Sequence, residues 1–174
     1  MNSIVNNLWN RSRPGPASGR FELIVERDVE AQAGLVYRAF TDGLDAWFAE
    51  PGSLRMRAEE NEPFFFETLQ GNRRHPHYGR FLRLVPYDVV EMTWVTGPAG
   101  TGGAETVVTV ELTPKEDGTH LRLIHAGFAD ARSRDRYVEE WSFVLDGLEL
   151  AFPAEALMHV RSKEEQWGGL SLGT

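Results

Sequence analysis

The chain has 174 residues, a net charge of −8 and no cysteine. This length suits one ordinary domain, and the lack of cysteine excludes disulfides, thiolate metal sites and a cysteine nucleophile. The negative charge argues against a nucleic-acid-binding or anionic-lipid-binding surface, and no apolar run is long enough for a transmembrane helix. A neutral ligand or a basic partner remains open.

The N-terminal segment reads as a flexible arm over residues 1–20. Residues 10–19 (NRSRPGPASG) contain prolines and glycines that cannot hold a regular element. Residues 1–9 lack the basic start and the continuous apolar stretch of a secretory signal, so a cytoplasmic location is expected.

The folded unit is predicted to begin at Phe21 with a half-buried strand, because Phe21, Leu23 and Val25 alternate with polar residues. Helical spacing over residues 32–48, interrupted near Asp42, then predicts two short helices.

Alternating apolar and polar residues return after the short helices and predict six further strands. They lie near residues 54–59, 64–70, 77–85, 89–96, 105–113 and 119–127. The last two strands are separated by Asp117-Gly118, a pair typical of a tight hairpin. Consecutive short connections of this kind favour an antiparallel sheet.

A long amphipathic helix is predicted after Phe128, because apolar residues recur every three or four positions. They are Tyr137, Trp141, Val144, Leu145, Leu148 and Phe152. Pro153 interrupts this pattern, so we expect the domain to span residues 21–153. Residues 154–174 then form an extension, with a short helix followed by a disordered tail.

Helices separated from a run of strands indicate an α+β fold rather than an alternating βα sheet. A curved antiparallel sheet that packs its apolar concave face on the long helix would bury both apolar surfaces. Such a shape readily leaves a cavity between sheet and helix.

Several segments, in this order, resemble the domain of activator-of-heat-shock-protein-90-ATPase homologues. They are Phe40-Thr41-Asp42, Trp47-Phe48, residues 79–86 (GRFLRLVP), residues 90–94 (VEMTW), residues 106–113 (TVVTVELT) and residues 118–128. That domain belongs to the START-like, birch-pollen-allergen-like (SRPBCC) superfamily. The resemblance covers roughly residues 21–153.

The resemblance implies a helix-grip fold, in which a seven-stranded antiparallel sheet curves around a long C-terminal helix. It also implies an internal cavity for hydrophobic or amphipathic small molecules. Relatives in the superfamily include lipid and hormone binders, polyketide cyclases and aromatases, proteins that confer self-resistance, and co-regulators of chaperones. The leading hypothesis is therefore binding of an apolar or aromatic small molecule.

Strand parity and helix spacing select the candidate cavity lining. In the run Phe64-Phe65-Phe66 one parity must face outward, and we assign Phe64 and Phe66 to the inner face. The complete set of predicted ligand-binding residues is Trp47, Phe64, Phe66, Met92, Trp94, His125, Tyr137 and Trp141.

His125 is the one candidate for chemistry, because it shares an inward parity with Leu121 and Leu123. It could act as a general acid or base in a cavity enzyme of the cyclase or aromatase type, assisted by Tyr137. The alternative is a buried histidine that hydrogen-bonds within the fold. No catalytic residue is assigned, and whether the protein is an enzyme stays open.

Two other features receive simpler interpretations. His75-Pro76-His77 reads as a solvated turn, because two histidines without a third ligand make a poor metal site. No metal and no cofactor is expected. A third hypothesis is a protein-interaction module that contacts a chaperone or a second copy of the chain, with the outward Phe65 as the first place to look.

Overall fold

The computed structural model describes residues 21–151; the predicted arm at 1–20 and extension at 154–174 lie outside these residues. The elements are β1 (Glu22–Val29), α1 (Ala33–Ala39), a 3-10 helix (Leu44–Ala46), β2 (Pro63–Gln70), β3 (Arg73–Val85), β4 (Val89–Thr96), β5 (Thr106–Lys115), β6 (Gly118–Ala126) and α2 (Ala131–Ala151). The fold is α+β, as predicted, with two short helices between the first two strands.

The strands form one six-stranded sheet in the order β1-β6-β5-β4-β3-β2. Every neighbouring pair is antiparallel. The predicted hairpin is present, because β5 ends at Lys115 and β6 starts at Gly118. Gly118 has a φ of 150° and a Cβ there would lie 2.1 Å from the carbonyl oxygen of Val29, so only glycine fits this turn.

The expected seventh strand at 54–59 is wrong. This segment makes a single isolated bridge, in which Arg55 and Phe65 exchange backbone hydrogen bonds of 2.8 and 2.9 Å. The alternation that suggested a strand has another cause: Leu54 and Met56 pack against the core from the rim of the sheet. An alternating pattern reports burial of one face and does not require strand pairing.

The histidine-proline-histidine turn is also wrong, because residues 75–77 lie inside β3 and the reversal occurs between Gln70 and Arg73. Pairing of β3 with β4 runs from His77, opposite Thr96, so Pro76 lies just beyond the end of β4. A proline is tolerated there because its partner on β2, Glu67, uses its own N–H and carbonyl oxygen for bonds to Ser53 and Glu50, so the missing N–H leaves no acceptor of β2 or β4 unpaired.

The long helix buries most of the predicted stripe: Tyr137, Trp141, Leu145 and Leu148 are buried, Val144 is half-buried, and Phe152 lies outside the described residues. Its start is capped by Asp130, whose Oδ1 accepts a 2.7 Å hydrogen bond from the backbone N–H of Ser133. Of the strands in the sheet, β1 is the one against which α2 chiefly packs. Because β1 lies at one end of the sheet, the opposite end at β2 and β3 stands away from the helix.

No helix in residues 21–151 combines the length and the apolar character that a membrane crossing requires.

Candidate functional site

A cavity of about 710 Å³ opens where the sheet and α2 diverge. It is bordered by the ends of β2, β3 and β4, by the loop at residues 97–100, by Trp47 and Phe48, and by one face of α2. The volume lies within the range of roughly 300–1,000 Å³ that is usual for small-molecule sites. A smaller, more open depression of about 420 Å³ next to Arg55 and Phe65 lies on the outer side of β2 and is mainly polar.

Aromatic rings form the inner wall of the cavity. Phe48 and Trp94 are nearly parallel, with ring centroids 6.1 Å apart, and Trp94 contacts Trp141 at 5.4 Å. Trp47 is fixed by a 2.8 Å hydrogen bond from its indole N–H to the carbonyl oxygen of Ala39. These rings are therefore held before any ligand arrives, which reduces the entropy cost of binding.

The eight predicted binding residues divide into two groups. Four of them line the cavity: Trp47, Trp94, Tyr137 and Trp141. The other four lie behind the lining in the packed core: Phe64, Phe66, Met92 and His125. Strand parity correctly placed these four side chains on the inner face of the sheet. That face, however, includes both the cavity wall and the packed core behind it.

His125 is fully buried and both ring nitrogens are engaged. The Trp141 indole N–H can only donate, so His125 Nδ1, 3.0 Å away, carries a lone pair. The other nitrogen, Nε2, therefore donates to Thr106 Oγ1 at 2.7 Å, and Thr106 donates to the Trp94 carbonyl oxygen at 2.6 Å. Burial lowers the pKa of His125 to about 3, so the ring is neutral.

This chain of hydrogen bonds joins α2 to β4, β5 and β6. It places no nitrogen of His125 in the cavity, and every donor in it has a defined acceptor. The histidine thus serves to fix Trp94 and Trp141, two rings of the cavity wall, in position.

His77 is the functional candidate that sequence reasoning missed. It lines the cavity from β3 and stacks on Phe66, with ring centroids 4.5 Å apart and an interplanar angle of 10°. Its Nδ1 lies 2.9 Å from the carbonyl oxygen of His75. Burial lowers the pKa of His77 to about 4. The sequence did contain a signal for His77, because this residue has the same strand parity as Phe81. The interpretation of residues 75–77 as a turn concealed that signal.

The loop at residues 97–100 closes one side of the cavity and is held in place by hydrogen bonds. Thr96 and Thr101 exchange hydrogen bonds between their backbone N–H groups and hydroxyl oxygens, at 2.9 and 2.8 Å. The Thr96 hydroxyl is also bonded to the Tyr137 hydroxyl at 2.8 Å, which ties the loop to α2. Burial raises the pKa of Tyr137, so its hydroxyl stays protonated.

Few charges approach the cavity, and the cation on its wall is paired. Arg74 Nη1 lies 2.9 Å from Glu67 Oε2. On α2, Glu140 and Asp146 border the opening, and burial against neighbouring groups raises the pKa of Glu140 although one side of it faces solvent. Within residues 21–151 no three acidic or histidine side chains cluster as a metal site would require.

The outer face of the sheet carries one notable aromatic pair. Phe65 and Tyr78 are directly opposite each other on β2 and β3, with ring centroids 5.2 Å apart. Tyr78 is 52% exposed.

Solved structures share this fold. Protein CV1439 from Chromobacterium violaceum is 25% identical and aligns over 74% of this chain and 95% of its own, with a TM-score of 0.63. CalU16 from Micromonospora echinospora is 26% identical over 86% of this chain and 87% of its own, with a TM-score of 0.58. DynU16, a protein in the dynemicin biosynthetic locus, is 18% identical over 74% of this chain and 45% of its own, with a TM-score of 0.60.

No curated protein matches the chain at a significant level. The family model for "Activator of Hsp90 ATPase homolog 1-like protein" matches residues 30–152, from the end of β1 through α2. This match covers well over half of the chain and includes every element that borders the cavity. The antiparallel sheet packed against α2 has the helix-grip topology that the sequence resemblance implied. The chain belongs to the Activator of Hsp90 ATPase homolog 1-like family, within the START-like (SRPBCC) superfamily.

Proposed function

We propose that this protein binds an apolar or aromatic small molecule in the cavity between the sheet and α2. The observation that carries the proposal is the cavity of about 710 Å³ with a wall of fixed aromatic rings. Family membership and the structural neighbours support a ligand-binding domain of this type. Burying a flat aromatic ligand against such rings is favourable by the hydrophobic effect and by ring stacking.

The charges around the cavity favour a neutral ligand. Arg74 is paired with Glu67, and the acidic residues Glu140 and Asp146 border the opening. A ligand carboxylate would therefore enter without a free cation on the described cavity wall, and close to the acid Glu140. The other acid, Asp146, is paired with Arg27 at 3.5 Å. We expect neutral aromatic compounds to bind better than fatty acids or aromatic acids of similar size.

We do not extend the proposal to catalysis at His125, because both of its nitrogens are occupied and neither reaches the cavity. The pair Phe65 and Tyr78 is a small apolar feature on the outer face, and it supports a protein-interaction role less directly than the cavity supports a ligand.

The first test uses 1-methylnaphthalene as a neutral aromatic probe and 1-naphthoate as an anionic one. Ligand at about ten times its Kd adds about 1.4 kcal/mol to the free energy of unfolding. For a domain of this size that raises Tm by about 4 °C. We expect this shift with 1-methylnaphthalene and a much smaller one with 1-naphthoate. Absence of a shift with the neutral probe at saturating concentration would contradict the proposal.

A variant that fills the cavity locates the binding site. Gly147 lies on α2 in the cavity lining, and a Cβ added there would have no neighbour within 4 Å. Gly147→Phe should therefore fold normally and abolish the thermal shift. The matched control is Glu139→Phe, an exposed α2 position that does not line the cavity, which should bind like the wild type. If both variants retained binding, the ligand would occupy another site.

A further inference from the structure

We propose that the cavity selects, among neutral aromatic compounds, those with a hydroxyl group, by accepting a hydrogen bond from that hydroxyl at His77 Nε2. This inference rests on the proposed function and names the ligand chemistry that the site prefers. It concerns His77, a residue of the cavity wall on β3.

The tautomer of His77 follows from its partner. A carbonyl oxygen only accepts hydrogen bonds, so the 2.9 Å contact with the oxygen of His75 places the proton on His77 Nδ1. In a neutral ring Nε2 then has a lone pair and no proton. The lowered pKa of about 4 keeps the ring neutral near pH 7. Nε2 is thus a hydrogen-bond acceptor.

Nε2 is the ring nitrogen of His77 that we assign to the cavity. Within residues 21–151, His77 Nε2 makes no hydrogen bond, yet the indole nitrogen of Trp94 is the only fully occluded side-chain polar atom without a partner. His77 Nε2 therefore keeps contact with open space. His77 is only 7% exposed and lines the cavity, which supports assigning the open space at Nε2 to the cavity.

Aromatic rings hold the imidazole of His77 in place around this acceptor. Phe66 covers one face, while the rings of Trp94 and Phe48 meet it edge-on, with centroids at 5.2 and 5.8 Å. The fixed ring gives the hydrogen bond a defined direction at the floor of an apolar space. In such surroundings an unmade hydrogen bond is expensive, so ligands that complete it are favoured.

Other polar groups at the floor compete poorly for a ligand. The hydroxyl of Tyr137 is engaged by Thr96, and burial raises its pKa. Among the described residues the Trp94 N–H is fully occluded and has no partner. Because the Trp94 nitrogen is occluded, it cannot receive a ligand oxygen directly. The polar contact that a ligand reaches at this point is an acceptor, which selects a hydroxyl rather than an ether or a ketone.

The test compares two probes of similar shape, 1-naphthol and 1-methylnaphthalene, in the wild type and in His77→Phe. The phenylalanine keeps a ring against Phe66 but removes the acceptor. A hydrogen bond worth about 1 kcal/mol corresponds to about fivefold in Kd. We expect His77→Phe to reduce the preference for 1-naphthol about fivefold while the Kd of 1-methylnaphthalene changes little. An unchanged preference in His77→Phe would overturn the inference.

A second measurement uses the unaltered protein and does not depend on the stability of the variant. In a long-range proton–nitrogen NMR spectrum, the unprotonated nitrogens of the two buried histidines are Nε2 of His77 and Nδ1 of His125. The resonance of His77 Nε2 should move with 1-naphthol but not with 1-methylnaphthalene, while that of His125 Nδ1 serves as the internal control. If 1-naphthol bound but the resonance of His77 Nε2 did not move, this inference would be overturned while the proposed function would stand. Failure of both probes to bind would overturn the proposed function as well.

Discussion

Gly79→Ala should lower the free energy of unfolding by about 3 kcal/mol, in the range of severe overpacking. A Cβ at this position would lie 2.1 Å from the carbonyl oxygen of Thr93 and 2.3 Å from the ring of Phe64. The ring can rotate, but the Thr93 carbonyl belongs to the backbone of β4, where Thr93 is paired with Val107 of β5, and it cannot move without disturbing that pairing. Urea denaturation monitored by tryptophan fluorescence measures the effect.

The position of Gly79 explains why the chain has glycine there. It pairs with Phe64 across β2 and β3, between the inward residues His77 and Phe81. The missing side chain makes room for the Phe64 ring, which contacts Phe66 and Trp94 behind the cavity wall. Gly79→Ala should therefore also weaken binding of 1-methylnaphthalene, because the support of the aromatic wall is displaced.

Gly147→Ala is the matched control with the opposite expected sign. Gly147 lies inside α2 and a Cβ there meets nothing within 4 Å. Alanine should raise the free energy of unfolding by up to about 1 kcal/mol, because glycine is the poorer helix former. If Gly79→Ala were as harmless as Gly147→Ala, β3 and β4 would be less tightly packed at Gly79 than the structure describes.

The order of elements was predictable because it depends on periodicity, which the sequence displays directly. Met92 and Trp94 on β4 and Leu121 and Leu123 on β6 are buried, as their parity predicts. The failures have local causes. Leu54 and Met56 alternate because they pack against the core. No periodicity reveals that, among the described residues, this segment joins the sheet only through the bridge at Arg55.

The candidate site was harder to predict than the fold, because its composition depends on where the helix leaves the sheet uncovered. Trp94 and Met92 share one face of β4, yet Trp94 lines the cavity and Met92 lies in the core. That distinction arises from the placement of α2 near β1, which is a tertiary property. His77 was hidden by Pro76, whose tolerance depends on where β4 ends.

The stability of the protein should fall by about 4 kcal/mol between about pH 7 and about pH 5, through His77 and His125 together. Burial lowers their pKa values in the folded state to about 4 and about 3, below the usual 6.5. Between about pH 7 and about pH 5, these two histidines therefore bind protons in the unfolded chain but not in the folded one. Their contribution is complete above pH 6.5 and is lost as the pH falls towards the folded pKa values. Each histidine accounts for about 2 kcal/mol, and urea denaturation at a series of pH values measures the sum.

A variant separates the contribution of His125 from that of other groups. His125→Gln retains an amide that can accept from Trp141 and donate to Thr106, but it does not titrate. Its free energy of unfolding should be lower at pH 7, and should decline only about half as steeply towards pH 5, because His77 remains. Over this interval the raised pKa of Glu140 acts in the opposite direction, and it does so equally in both proteins. Equal slopes in the wild type and His125→Gln would mean that His125 becomes protonated in the folded protein. That result would contradict the hydrogen-bond chain and would reopen an acid–base role for this residue.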